Sequence, residues 1–216
     1  MVSKTPKTAV VGGTNFDSSR GAELLRSHGI ECVSIGLSEN PDVQSEMYLH
    51  PEIMQNHFHE KVGKHDFENI IIFCNSLSFA GPWQKIYGQR VTELTAIYTK
   101  LLQRVNLAKT AIIVAEENTK AQLRKLAEKN KIHTSDSLYI YSNLNLIKQI
   151  EKTDQTTQRQ LILAEIDALK NRGFTEIIFG CTHLDHEDFY DLEDVKVHQP
   201  GLEMLAEFVR DNSKQL

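Results

Sequence analysis

Strands alternating with helices along the 216 residues predict an α/β fold built on parallel-type sheets. Three observations carry this expectation. Short, almost uniformly apolar runs recur at Thr8–Gly13, Asn69–Cys74, Thr110–Ala115 and Glu176–Gly180, a pattern suited to strands buried on both faces. Helical periodicity fills the gaps, most clearly at Val91–Val105 through Leu94, Ile97, Tyr98, Leu101 and Leu102. The series also runs twice. Each half opens with a strand, a turn and a helix, and closes on a strand that carries a cysteine, Cys74 in the first half and Cys181 in the second.

The elements justify themselves in order. Thr8–Gly13 ends in a glycine pair, Asp17–Ser18–Ser19 supplies N-capping groups, and the following helix stops at Gly29. The turn reads Gly-Gly-Thr-Asn-Phe-Asp and lacks the glycine spacing of a dinucleotide site. Ile30–Ile35 alternates as a second strand, with Cys32 read as a core residue. Pro41–Lys64 is helical, with Met47, Leu49, Ile53, Met54 and Phe58 as its expected buried stripe. His50, His57, His59 and His65 in or near it are expected on the surface, since two residues apart on a helix is not one face. Gly81–Pro82 breaks the chain before the Val91–Val105 helix.

The second half begins at Thr110–Ala115, followed by a helix start at Glu116–Thr119. A weak strand is expected around Ile132, and helices over Leu144–Ile150 and Gln160–Leu169, the second closing at Gly173. An acidic turn over Asp185–Asp194, a short strand Val195–His198 and a helix over Gly201–Asn212 complete the chain.

Composition narrows the function classes. A net charge of −5 shows no basic footprint for nucleic acid or an anionic membrane. No apolar stretch is long enough to span a bilayer, and the N-terminus has no apolar signal core, so the expected location is cytoplasmic. Three widely spaced cysteines make no disulfide framework, and thiols kept reduced are available for chemistry.

Four readings of Cys74 and Cys181 compete. Each is a packing residue, although Asn75, Ser76, Thr182 and His183 crowd polar groups where a core position wants none. Cys181, His183 and His186 form a zinc set, although Cys74 lacks the paired cysteine such sites bring. One cysteine is a hydrolase nucleophile paired with His183. Or the two act as opposed acid and base, which inversion of a stereocentre by proton transfer requires. On the fourth reading nearby donors tune the thiolate, His183 beside Cys181 among them. A substrate carboxylate then needs donors, for which backbone N–H groups at Gly12, Gly13 and Thr182 and the side chains of Asn75, Ser76 and Thr119 are candidates. No metal is expected.

Cys74–Asn75–Ser76, Gly180–Cys181–Thr182–His183 and the first turn Gly12–Gly13–Thr14, in that family's order, resemble the cofactor-independent aspartate/glutamate racemase superfamily. The resemblance implies two pseudo-symmetric α/β lobes with the active site in the cleft between them. On this chain the lobes are expected at residues 1–93 plus 196–216 and at 94–195. It also implies catalysis by Cys74 and Cys181 without pyridoxal phosphate or another cofactor, a small amino-acid substrate and a homodimer. His183 assists the second cysteine, and Asn75 and Thr182 bind the substrate's carboxylate and ammonium groups. Gly-Cys-Thr-His resembles the glutamate branch, whereas Gly12–Gly13 resembles the aspartate branch. Glu116 stands where the family often has a small hydroxyl residue. A hydantoin racemase, a decarboxylase, a cis–trans isomerase and a non-catalytic amino-acid-binding protein stay open as alternatives.

Overall fold

The protein is seen here as a computed structural model that describes residues 7–132, 138–189 and 192–213. The start of the chain and residues 190 and 191 of the acidic turn lie outside the described residues. The chain divides into two compact units, Met1–Leu94 with Leu202–Leu216 and Thr95–Gly201.

Unit 1 is built on β1 (Thr8–Thr14), β2 (Cys32–Ser38), β3 (Asn69–Ile72) and β4 (Val91–Thr92), with helices α1 (Asn15–Ser27), α2 (Pro41–Leu49), α3 (Pro51–Phe58), α4 (Asn75–Ala80) and α5 (Trp83–Tyr87). The sheet order is β2-β1-β3-β4, and every pairing is parallel. β1 and β3 are buried because helical crossovers cover both faces of a parallel sheet. The core beneath α2, α3 and α5 includes Met54, Phe58, Leu77 and Trp83. Trp83 stacks on Phe58 at 4.2 Å and donates its indole N–H to the Leu77 carbonyl at 2.7 Å.

Unit 2 carries α6 (Thr95–Arg104), β5 (Thr110–Val114), α7 (Glu117–Lys129), β6 (Tyr139–Ser142), α8 (Leu144–Lys152), α9 (Gln155–Asn171), β7 (Glu176–Gly180) and β8 (Lys196–His198), and α10 (Pro200–Ser213) starts at its end. Its sheet order is β6-β5-β7-β8, again all parallel. The two sheets therefore have the same topology, strand for strand. Among the described residues no helix is long and apolar enough to cross a membrane.

Several expectations need correction. Val91–Thr92 is the edge strand β4 rather than the first turn of a helix; only Thr95–Arg104 is helical, because the apolar spacing runs through both elements. The helical stretch from Pro41 breaks at His50–Pro51, and this resets the phase. Met54 and Phe58 are buried as expected, but Leu49 is 74% exposed and Ile53 is also exposed. On α2 the inward positions are instead Pro41, Gln44 and Tyr48. Ile132 itself lies in no strand and residues 133–137, where that expectation also falls, lie outside the described residues; the strand that pairs with β5 is Tyr139–Ser142, whose two tyrosines alternate with Ile140. Strand β8 belongs to the second sheet by its pairing with β7, so residues 196–201 lie with unit 2 rather than with the first lobe.

Candidate active site

In each sheet the first strand sends one crossover to either side, β1 to β2 and back to β3, and β5 to β6 and back to β7. The carboxyl ends of β1 and β3, and of β5 and β7, are thus the points where the crossovers diverge. Such switch points leave a crevice that helices do not fill. Cys74 and Cys181 stand there. Phe73 donates to the Val11 carbonyl at 2.8 Å, which continues the ladder and sets Cys74 beside the Gly12–Gly13 turn. Gly180 pairs with Val114, which sets Cys181 beside Ala115 and Glu116.

The two cysteines also share one local geometry. Cys74 has φ −162° and ψ 126°, and Cys181 has φ −148° and ψ 127°; each caps a short helical segment. Ser78 N–H donates to the Cys74 carbonyl and Leu184 N–H to the Cys181 carbonyl, each at 3.0 Å. This extended-then-helical bend turns the following residues toward the strand end. Asn75 and Ser76 after the first cysteine, and Thr182 and His183 after the second, are all buried.

The surroundings of the two sulfurs differ. In unit 1, Gln44 Nε2 lies 3.4 Å and Tyr48 Oη 3.5 Å from Cys74 Sγ, and the same amide nitrogen donates to Tyr48 Oη at 2.7 Å. In unit 2, Cys181 Sγ lies 3.5 Å from His183 Nδ1, and His183 Nε2 lies 2.7 Å from Glu151 Oε1. His183 is almost wholly buried and the Glu151 side chain is 13% exposed. With its Nε2 proton held by the carboxylate, the ring presents Nδ1 to the sulfur. It can then accept the thiol proton or, once protonated, donate to a thiolate.

The first turn is organised otherwise than expected. Thr14, not Asp17, is the N-cap of α1, and Asp17 is the third helical residue of a capping box. The Asp17 carboxylate is fully buried and accepts from Gly13 N–H at 3.1 Å, Thr14 N–H at 2.9 Å and Ser18 N–H at 3.2 Å. Of the amides expected to receive a substrate carboxylate, that of Gly13 is therefore engaged, together with its neighbour Thr14, by a side chain of the chain itself. Gly12 is needed for this closure, since a Cβ there would lie 2.4 Å from Asp17 Oδ1 and 2.5 Å from Ser18 N.

Thr119 is buried in the first turn of α7, and Thr182 is buried beside Cys181. Glu116 is the N-cap residue of α7 and half-buried. The drawn zinc set does not converge, because His186 Nδ1 faces Asp188 at 3.6 Å while His183 faces Cys181 and Glu151. Among the described residues no group of three or more His, Cys, Asp or Glu side chains is arranged to hold a metal ion. Cys32 is a core residue: its thiol donates to the Ala22 carbonyl at 3.5 Å, and burial pushes it up in pKa against the opposing pull of Arg26. His50, His57, His59 and His65 are exposed.

Gln44, Tyr48 and Glu151 escaped the sequence reading. Their signal was helical phase. Gln44 and Tyr48 follow Pro41 along one face, and Glu151 lies one turn beyond the buried Ile147.

No protein-family model matches the sequence, and comparison with curated proteins finds no match. Comparison with solved structures finds the same architecture repeatedly. An aspartate racemase of Picrophilus torridus superposes with a TM-score of 0.65 at 14% identity, covering 96% of this chain and 94% of that one. The fold is that of the aspartate/glutamate racemases. An allantoin racemase of Klebsiella pneumoniae has a TM-score of 0.61 at 14% identity, covering 98% and 89% of the two chains. A glutamate racemase isoform of Bacillus anthracis has a TM-score of 0.58 at 13% identity, covering 98% and 83%. The racemase fold thus accounts for nearly the full length of this chain.

Proposed function

We propose that the protein is a cofactor-independent racemase of an acidic amino acid, aspartate or glutamate, with Cys74 and Cys181 as its two bases. One observation carries the reading. The two units repeat the same sheet, and at the same switch point of each stands a cysteine of the same backbone conformation with a polar group on its sulfur. A single nucleophile or packing residue gives no reason for the repetition. Inversion of a stereocentre does, because a proton leaves one face of the carbon and another arrives on the opposite face.

In the proposed reaction one sulfur begins as thiolate and the other as thiol. The thiolate takes the α-proton, and the electron pair of the C–H bond passes to the carbon and its carboxylate. The thiol then delivers its proton to the other face. Charge and protons balance, and the two sulfurs end with their roles exchanged. His183, held by Glu151, receives or returns the Cys181 proton. Asn75, Ser76, Thr119 and Thr182 offer neutral hydrogen-bonding groups to the substrate's carboxylate and ammonium. The reading also keeps the expectation of a homodimer that uses no pyridoxal phosphate.

The test is incubation of each enantiomer of aspartate and glutamate in deuterated water, with α-proton exchange followed by NMR and inversion by optical rotation. Exchange with inversion is expected for one of the two amino acids, and its loss in Cys74→Ala and in Cys181→Ala. Inversion that persists in the double variant removes the mechanism. A second reading, a racemase of a neutral ureide such as allantoin, is favoured by the uncharged amide and phenol on Cys74. The same assay on that substrate decides between them.

A further inference from the structure

We propose that Gln44 and Tyr48 are positioning residues that hold Cys74 as the thiolate of the resting protein. The amide nitrogen of Gln44 has two protons, and two acceptors lie in reach, Tyr48 Oη at 2.7 Å and Cys74 Sγ at 3.4 Å. The phenol oxygen accepts from Gln44 and lies in hydrogen-bond reach of the sulfur at 3.5 Å, a contact in which the hydroxyl is the donor when the sulfur is a thiolate. Both donors then converge on one sulfur, in a setting where Gln44, Tyr48 and Cys74 are all buried. Hydrogen bonds to the charged form favour that form.

The placement is built into the fold. Asn40 caps α2, accepting from Asp42 N–H at 3.0 Å and Val43 N–H at 3.1 Å, and this sets the helix phase that turns residues 44 and 48 inward. The absence of a side chain at Gly13 makes room, since a Cβ there would lie 2.1 Å from Gln44 Nε2. The polar residues on α2 thus occupy the face that an ordinary surface helix fills with apolar ones.

Other groups around Cys74 set the balance. The buried cluster that includes it brings Val11, Leu37, Ile72, Leu77 and Trp83, whose apolar surface opposes a charge. At the same strand end Asp17 is negative and also opposes it, although its oxygens are turned to Gly13, Thr14 and Ser18. Asn75 and Ser76 are neutral. Against these the two α2 groups on the sulfur favour the thiolate. Cys181 has a different arrangement, a histidine able to take its proton. The pair is asymmetric, with Cys74, held by direct contacts from α2, as the base at rest in this proposal. That assignment of roles rests on the racemase reading; the state of the Cys74 sulfur does not.

The experiment measures the rate of alkylation of Cys74 by iodoacetamide against pH in the full chain without substrate, read by mass spectrometry of the Cys74 peptide. A midpoint below about 8.5, the ordinary thiol value, is expected. Tyr48→Phe and Gln44→Met, each of similar volume, should raise it by about one unit. Gly13→Ala, which displaces the Gln44 amide, should raise it too and serves if either of the others fails to fold. Thermal unfolding identifies the folded variants. An unchanged midpoint in the folded variants overturns the proposal. So does a midpoint above about 8.5 that falls in Gln44→Met, the signature of an amide turned to accept a thiol proton. A shifted midpoint in a protein without α-proton exchange upholds the role of Gln44 and Tyr48 and removes the racemase reading.

Discussion

Glu151 Oε1 lies 2.7 Å from His183 Nε2, and this contact orients the ring whose other nitrogen faces Cys181. A carboxylate so placed fixes which ring nitrogen carries the proton and stabilises the imidazolium when it forms. The second unit thus holds its cysteine through a relay, the first through direct contacts from Gln44 and Tyr48.

Glu151→Gln keeps the shape of that contact and removes its charge. Turnover in the exchange assay should fall on the order of 10²-fold, with kcat affected more than KM. A kcat equal to that of the parent protein contradicts the relay.

Asp17→Ala leaves the N–H groups of Gly13, Thr14 and Ser18 without their acceptor inside a buried turn. A loss of about 3 kcal/mol in urea unfolding is expected. Asp17→Asn, which retains an acceptor oxygen, should lose less. Equal losses would mean that charge, not hydrogen bonding, holds the turn.

Gly180→Ala tests the approach of the two central strands of unit 2. A Cβ at Gly180 would lie 2.6 Å from the Ile113 carbonyl oxygen and 2.6 Å from Val114 Cγ1. The first contact is with backbone, so relief requires β7 to move and Cys181 with it. Stability should fall by about 1–3 kcal/mol, and exchange activity should fall with it. Position 73 of unit 1 tolerates phenylalanine because the space it needs is provided by Gly21, where a Cβ would lie 2.8 Å from the Phe73 ring.

Glu176 supplies a pH-dependent contribution away from the cysteines. Burial pushes its carboxyl up, but the hydrogen bond to His198 and the amide of Asn106 outweigh it, so the carboxyl lies below its ordinary 4.5. A depressed carboxyl binds its proton more tightly in the unfolded chain. Its stabilisation is present above about pH 4.5 and is lost as pH falls through the lower folded value. Glu176→Gln should therefore be less stable than the parent by about 1 kcal/mol at pH 7, and the difference should close below pH 4.5 in paired urea titrations.

Much of the fold was legible in the sequence because its signals are local. Buried parallel strands announce themselves as short apolar runs, so β1, β3, β5 and β7 were readable. Two of the edge strands, β4 and β6, were harder. β4 has two residues and merges with the periodicity of α6, and β6 alternates tyrosine with isoleucine as a half-covered edge does. Cys74 and Cys181 were readable as a pair because each follows an apolar strand and precedes small polar groups. Gln44, Tyr48 and Glu151 were not, because their type alone marks them as solvated and only the phase of their helices shows them buried.

By itself the sequence determined a twofold α/β repeat with one cysteine at a strand end in each half. Periodicity and strand termination are properties of neighbouring residues, so no folding was needed to see them. Only the tertiary structure decided what each sulfur meets. Gln44 and Tyr48 reach Cys74 from another helix, and Glu151 reaches His183 from 32 residues away. It also turned Asp17 inward to close the first turn. Hydrogen bonds depend on direction and on distances of a few ångströms, and these are set by helix phase and packing, which spacing along the chain does not contain.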